Sequence, residues 1–155
     1  MSEPQVEYAG FWLRVGAALI DSILVFLVIV PLLAAIYGWN YFLRADAGFS
    51  DPLDILINWL LPAFAVTVFW LKAQATPGKM AVSCRVVDAK TGNTISIGQA
   101  LIRYLGYFVS TIPLGLGLIW VGIDARKQGW HDKMAGTVVV RSNKRGPEPD
   151  PFDSP

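Results

Sequence analysis

From Val15 to Tyr37 the chain carries one formal charge, Asp21, in a run that is otherwise almost wholly apolar. As a helix rising 1.5 Å per residue, the run is long enough to cross roughly 30 Å of hydrocarbon with some tilt. Trp12 at one end and Tyr37, Trp39 and Tyr41 at the other stand where amphipathic rings meet lipid headgroups. Residues 1–13 contain no Lys or Arg, and the run is longer than the roughly 7–15 residues of a signal-peptide core, so it reads as a retained helix. A second span, Ile55–Leu71, has no formal charge. Pro31 bends the first span and Pro62 kinks the second, which is tolerated where neighbouring helices satisfy the freed backbone.

Only 16% of the 155 residues are charged, against roughly 25% in soluble domains. The bilayer is therefore the first partner expected, and a net charge of +1 gives no footing for nucleic acid. The single Cys84 excludes an intrachain disulfide and a Cys-based zinc cluster, and the single His131 leaves little for a metal site. No metal, cofactor or enzyme activity is expected.

The texture changes between Lys72 and Arg103. In MAVSCRVVDAKTGNTISI, Met80, Val82, Cys84 and Val86 alternate with Ser83 and Arg85, and Lys90 to Asn93 supply turn residues. This predicts a β-hairpin outside the bilayer within residues 79–97, with a further strand from 136–142. The stretch 143–155, rich in Pro and acidic residues, reads as a disordered tail. Basic residues from Arg141 to Arg145 are placed to touch anionic lipid.

The third apolar segment, residues 100–123, is long enough for one span, but its charges favour another path. The loop from Gly38 to Asp54 sets Arg44 against three aspartates, whereas Lys72 to Arg103 holds five Lys or Arg against Asp88 alone, and Arg126, Lys127 and Lys133 follow the segment. If basic flanks stay in the cytoplasm, an even number of crossings separates the two basic regions. Two short helical arms meeting near Pro113, entering and leaving on the cytoplasmic side, satisfy that rule. Gly106, Gly115, Gly117 and Gly122 would let such a hairpin pack closely. The expected fold is thus an α-helical membrane protein with two transmembrane helices, a broken or re-entrant third segment (or three single spans), and a small cytoplasmic β element. The N-terminus is cytoplasmic either way.

Arg14 and Asp21 lie two turns apart on nearly one helix face, about 10 Å along the axis, too far for contact. Arg14 reaches the headgroups, and Asp124 is its natural partner. Asp21 lies deeper and needs a cation or a proton. Arg103, or Arg14 of a second copy, is its expected partner. ATPGKMA lacks the spacing and hydroxyl of a phosphate loop, so Thr76, Pro77, Gly78 and Lys79 read as the turn ending the second helix. His131 and Asp132 read as a pair fixing the chain's return onto the β element.

Three blocks, YAGFWLRVGAALIDSILV, TPGKMAVSCRVVDAKTGNTISIGQALIRY and IDARKQGWHDKMAGTVVV, together resemble the RDD family of small bacterial membrane proteins, named for an Arg and two Asp. The resemblance runs from about Tyr8 to Val140. It places the name-giving residues on Arg14, Asp21 and Asp124, matches Thr76 to Lys79, and matches a block of His131, Asp132, Ala135, Gly136 and Thr137. It implies a multi-pass protein of the bacterial inner membrane, and for some relatives cation/proton exchange. Two functions follow as expectations. One is a structural or accessory subunit, acting as a homo-oligomer or beside a partner membrane protein. The other is an oligomeric exchanger of cations or protons in which Asp21 titrates.

Overall fold

The computed structural model describes residues 6–142, so the expected disordered tail and its Lys144 and Arg145 lie outside the described residues. A short strand, β1 (Val6–Tyr8), leads into α1 (Phe11–Tyr37), 27 residues uninterrupted at Pro31. A 3₁₀ turn (Trp39–Leu43) begins the connection to a second long helical stretch, Pro52–Ala73. That stretch is composite: α2 (Pro52–Ile55), a π turn (Leu56–Leu60) and α3 (Leu61–Ala73). Pro62 is the second residue of α3. Its ring offers no N–H and crowds the carbonyl a turn earlier, and the wider π turn accommodates both defects. Both stretches are apolar and long enough to cross a membrane. Leu19, Ile23, Phe26, Leu27 and Phe64 are exposed on them, as lipid-facing residues are.

The third apolar segment is bent. Helix α5 (Ile97–Thr111) and a second arm made of α6 (Leu116–Ile119) and a 3₁₀ turn (Trp120–Gly122) diverge by 112°. The break spans Ile112 to Gly115, where Leu114 and Gly115 both have positive φ. Polarity on α5 is inverted. Its buried positions are Ala100, Arg103, Gly106 and Ser110, whereas Leu101, Leu105, Phe108 and Ile112 are exposed. A helix in water buries its apolar stripe, so this arrangement suits lipid. Gly106 and Gly117 permit close packing as expected. A Cβ at Gly106 would lie 2.8 Å from His131 Cα, and one at Gly117 would lie 2.6 Å from Ser110 Cα. Gly115 and Gly122 do not share that role, because Gly115 has open space around it and Gly122 meets only Phe11 Cβ at 3.9 Å.

The β element differs from the expected hairpin. Thr76 and Pro77 start a short helix, α4 (Pro77–Ala81), which takes Met80 and Ala81 out of the strand, and β2 is confined to Cys84–Asp88. No strand returns after the turn at Lys90 to Asn93, because Ser96 instead caps α5. Its hydroxyl accepts from Gln99 N while Gln99 Oε1 accepts from Ser96 N, a reciprocal capping box. The partner of β2 is β3 (Thr137–Ser142), which forms the centre of a three-stranded antiparallel sheet of order β1-β3-β2. Val86 lies opposite Val139 and Tyr8 opposite Val140. One sheet face packs Cys84, Val86 and Val139 against Trp70 and Ala100, while Val87, Val138 and Val140 form a smaller cluster.

All four helix ends on this side are tied to the sheet. Ala9 N donates to Val139 O at 2.9 Å ahead of α1, and Val86 N donates to Gln74 O just after α3. Gln99 Nε2 donates to Asp88 at the start of α5. After the second arm, Arg126 Nη2 donates to Ala89 O at 2.7 Å. The bent segment therefore begins and ends at the same sheet.

The glycine contacts separate two otherwise similar substitutions. Gly106→Ala forces backbone apart between α5 and the residues around His131 and is expected to cost about 1–3 kcal/mol. Gly122→Ala should stay within about 0.5 kcal/mol of wild type. Thermal melts of the two variants in the same detergent check the contrast.

Candidate functional site

The sequence places Arg14, Arg103 and Asp132 on three different elements, and the fold brings them together. Asp132 lies in α7 (Trp130–Ala135), a six-residue helix wedged between α5 and β3, and is fully buried. Its Oδ2 accepts from Arg14 Nη1 at 2.5 Å and from Gly129 N at 3.0 Å, and its Oδ1 accepts from Arg103 Nη1. The Gly129 contact is local: Asp132 stands third in its helix and satisfies a free N-terminal amide. Arg103, also fully buried, donates further to Thr137 Oγ1 at 2.7 Å and to Tyr107 OH at 3.3 Å. Its guanidinium sits 5.1 Å from the centroid of Trp70 and 5.6 Å from that of Tyr107, so aromatic faces cover the sides that carboxylate oxygen does not. Arg14 donates to Ala9 O and Lys127 O as well, fastening α1 to the loop before α7.

One carboxylate between two guanidiniums stays charged. Burial alone raises the Asp132 pKa, but Arg103 and Arg14 reverse that and hold the carboxyl well below the usual carboxylate range. His131 behaves oppositely. Burial pushes its imidazole down to about 3 from 6.5; Asp132 opposes this, and Arg103 and Arg14 add to it. The ring stacks on Tyr107 at 4.0 Å between centroids. Its Nε2 lies 3.4 Å from Asp132 Oδ2 without the alignment of a hydrogen bond. The expected His–Asp pair is thus a neutral ring beside a charged carboxylate, and Asp132 answers chiefly to the arginines.

The pairings differ from those expected in two respects. Asp124 does not meet Arg14. It pairs with Lys133 at 2.7 Å and accepts from Arg126 N and Gln128 N, closing its own loop. The nearer, more deeply buried Asp132 takes Arg14 instead. Asp21 meets neither Arg103 nor Arg14 of this chain. Its Oδ2 accepts from Thr76 Oγ1 at 2.5 Å and its Oδ1 from Gly78 N at 2.7 Å. A Cβ on Gly78 would lie 2.0 Å from Ala17 O, so glycine is what lets that amide approach α1. The turn Thr76 to Lys79 is therefore a clasp on α1, with Lys79 buried beside it. Gly136 adopts the left-handed conformation that ends α7, and Thr137 then delivers its hydroxyl to Arg103 and Asp132.

At the opposite end of the spans lies a cluster that charge counting overlooked. Asp54 is fully buried. It accepts from Tyr41 OH, Gly48 N, both donors of Ser50, and Asn58 Nδ2, all within 3.0 Å. Among the described residues it has no ion-pair partner, since Arg44 pairs with Asp46. Desolvation and the bond to Asp54 raise the Tyr41 pKa. The sequence hint was the concentration of short polar residues around Asp51 and Asp54, which the aromatic-belt reading of Tyr41 absorbed.

Two apolar helical stretches, a bent apolar pair and a three-stranded sheet, joined by a buried arginine–aspartate–arginine cluster, define a small helical membrane protein. The chain belongs to the RDD family, whose model matches residues 8–136. It is similar to the uncharacterized protein YxaI of Bacillus subtilis, 30% identical over 85% of this chain and 96% of that protein. It is also similar to the uncharacterized protein YckC of the same organism, 34% identical over 85% and 83%. The uncharacterized membrane protein YteJ is 27% identical over 86% and 80%. No solved structure matches the chain.

Two outcomes follow from the geometry. Asp132→Ala strands two buried guanidiniums and should cost about 3–5 kcal/mol, enough to abolish accumulation of folded protein. Asp124→Ala, whose Lys133 partner is half exposed, should cost about 1 kcal/mol. Quantifying detergent-stable protein after expression distinguishes them. The second outcome concerns pH. The unfolded chain protonates His131 below 6.5, whereas the folded chain resists until about 3. Stability therefore falls with decreasing pH across that window, by about 1.4 kcal/mol per pH unit. Asp132 and Asp124, both lowered, add their loss only below 3.8. Melting temperature should drop between pH 6.5 and 4 in wild type, and His131→Gln should flatten that decline.

Proposed function

We propose that this protein acts as a structural or accessory subunit of the bacterial inner membrane, as a homo-oligomer or beside a partner membrane protein. The observation carrying this reading is that Arg14 and Arg103 both pair with Asp132, while Asp21 is held by Thr76 and Gly78. Charges spent on holding helices together are not available to shuttle. No enzyme activity is assigned, and His131 is committed to packing against Tyr107 and Ser110. In this reading the sheet is cytoplasmic, because Lys72, Lys79, Arg85, Arg126 and Lys133 gather at that end, and the bent segment re-enters rather than spans. Few spans cannot enclose a pathway alone, which favours assembly with another copy or another protein.

A second reading, cation/proton exchange by an oligomer, is favoured by one observation. Asp21 borders two cavities, one bounded by α1, α3 and α5 and another between α1 and α3. Asp21 is partly exposed there, and Ser22, Thr76 and Thr111 also line the first of them.

Ion-driven proton movement in inverted vesicles separates the readings when wild type is compared with Asp21→Asn. The subunit reading expects no exchange in wild type with any alkali cation, and weaker assembly in the variant. Exchange in wild type that disappears in Asp21→Asn with assembly intact would overturn it.

A further inference from the structure

The cavity bounded by α1, α3 and α5 has a volume of about 540 Å³. Val66, Phe108 and Ile112 give it apolar walls, and Lys79 and Trp70 close its end near the sheet. Lys79 is only 9% exposed and lines the cavity, yet among the described residues its ammonium has no hydrogen-bond or ion-pair partner. A charged side chain this buried is almost always paired, so an unpaired ammonium in the cavity wall points to an anion brought by a ligand. The charge count agrees. Arg14, Arg103 and Lys79 gather around Asp132 and Asp21, leaving one positive charge in excess. Lys79 also borders a second cavity, of about 150 Å³, that Arg14 and His131 line.

We propose that this cavity seats one glycerophospholipid, with its phosphodiester on Lys79 and its acyl chains along Val66, Phe108 and Ile112. A phosphodiester carries the single negative charge the cluster lacks and offers its oxygens to the Lys79 ammonium. Lys79 lies just beyond the Gly78 clasp and ahead of β2, where the spans meet the sheet. That is headgroup depth, and it leaves the chains running into the apolar part of the cavity. Asp21 does not repel the phosphate strongly, because Thr76 and Gly78 already donate to its two oxygens. The seat exists whether Asp21 is a fixed contact or a titrating group.

The test is native mass spectrometry of the full-length detergent-solubilised protein. It is titrated with dioleoyl phosphatidylglycerol, with dioleoylglycerol, which has the same chains without phosphate, and with glycerol 3-phosphate, which has phosphate without chains. The phospholipid should bind about tenfold more tightly than dioleoylglycerol. Lys79→Gln should erase that difference and Lys79→Arg should keep it. Ala18→Leu, at an exposed position lining the cavity, should lower phospholipid occupancy without disturbing the fold, which covers the case of a Lys79→Gln variant that fails to fold. Equal binding of dioleoylglycerol, or phospholipid binding unchanged in Lys79→Gln, would overturn the proposal. Displacement of the lipid by equimolar glycerol 3-phosphate would overturn it too, by assigning the site to a free phosphate.

Discussion

A carboxylate taken out of water must find positive charge or give up its own, and in this protein one carboxylate satisfies that demand for three elements at once. Asp132 fixes α1 through Arg14, α5 through Arg103 and the start of its own helix through Gly129. Replacing the cluster with apolar residues could be as stable, but apolar contact would not prescribe which face of α1 meets which face of α5. Two guanidiniums on opposite oxygens of one carboxyl do prescribe it. The sheet inherits this order, because Thr137, the first residue of β3, is drawn into the same cluster.

The inverted polarity of α5 has the same origin. In lipid there is no hydrophobic gain from turning apolar residues inward, so packing between helices falls to small residues and polar contacts. Arg103, Gly106 and Ser110 therefore face protein while Leu101, Leu105 and Phe108 face outward. Asp54 repeats the solution at the far end with neutral donors in place of cations. The connection between the two long helical stretches is thus secured by different chemistry from the sheet end.

Much of this was legible in the sequence. The two apolar stretches, the break near Pro113 and the close approach at Gly106 and Gly117 each follow from length, Pro or Gly in a context with few alternatives. The β element was legible in part: the alternation around Cys84 and Val86 marked a strand, but Thr76-Pro77 and the Ser96–Gln99 capping box claimed the flanks for helix. The charge pairing was the least legible. Arg14 and Asp132 are 118 positions apart, and Arg103 and Asp132 are 29 apart. Nothing local distinguishes Asp132 from Asp124 as acceptor until α7 is folded against α5.

That 118-residue separation also orders events in time. A ribosome adding about 5–20 residues per second reaches Asp132 roughly 6–24 s after Arg14. Throughout that interval Arg14 exists without its eventual partner, and Arg103 is made before Asp132 as well. Closure of the cluster therefore comes only after both long helical stretches and the bent segment have been made.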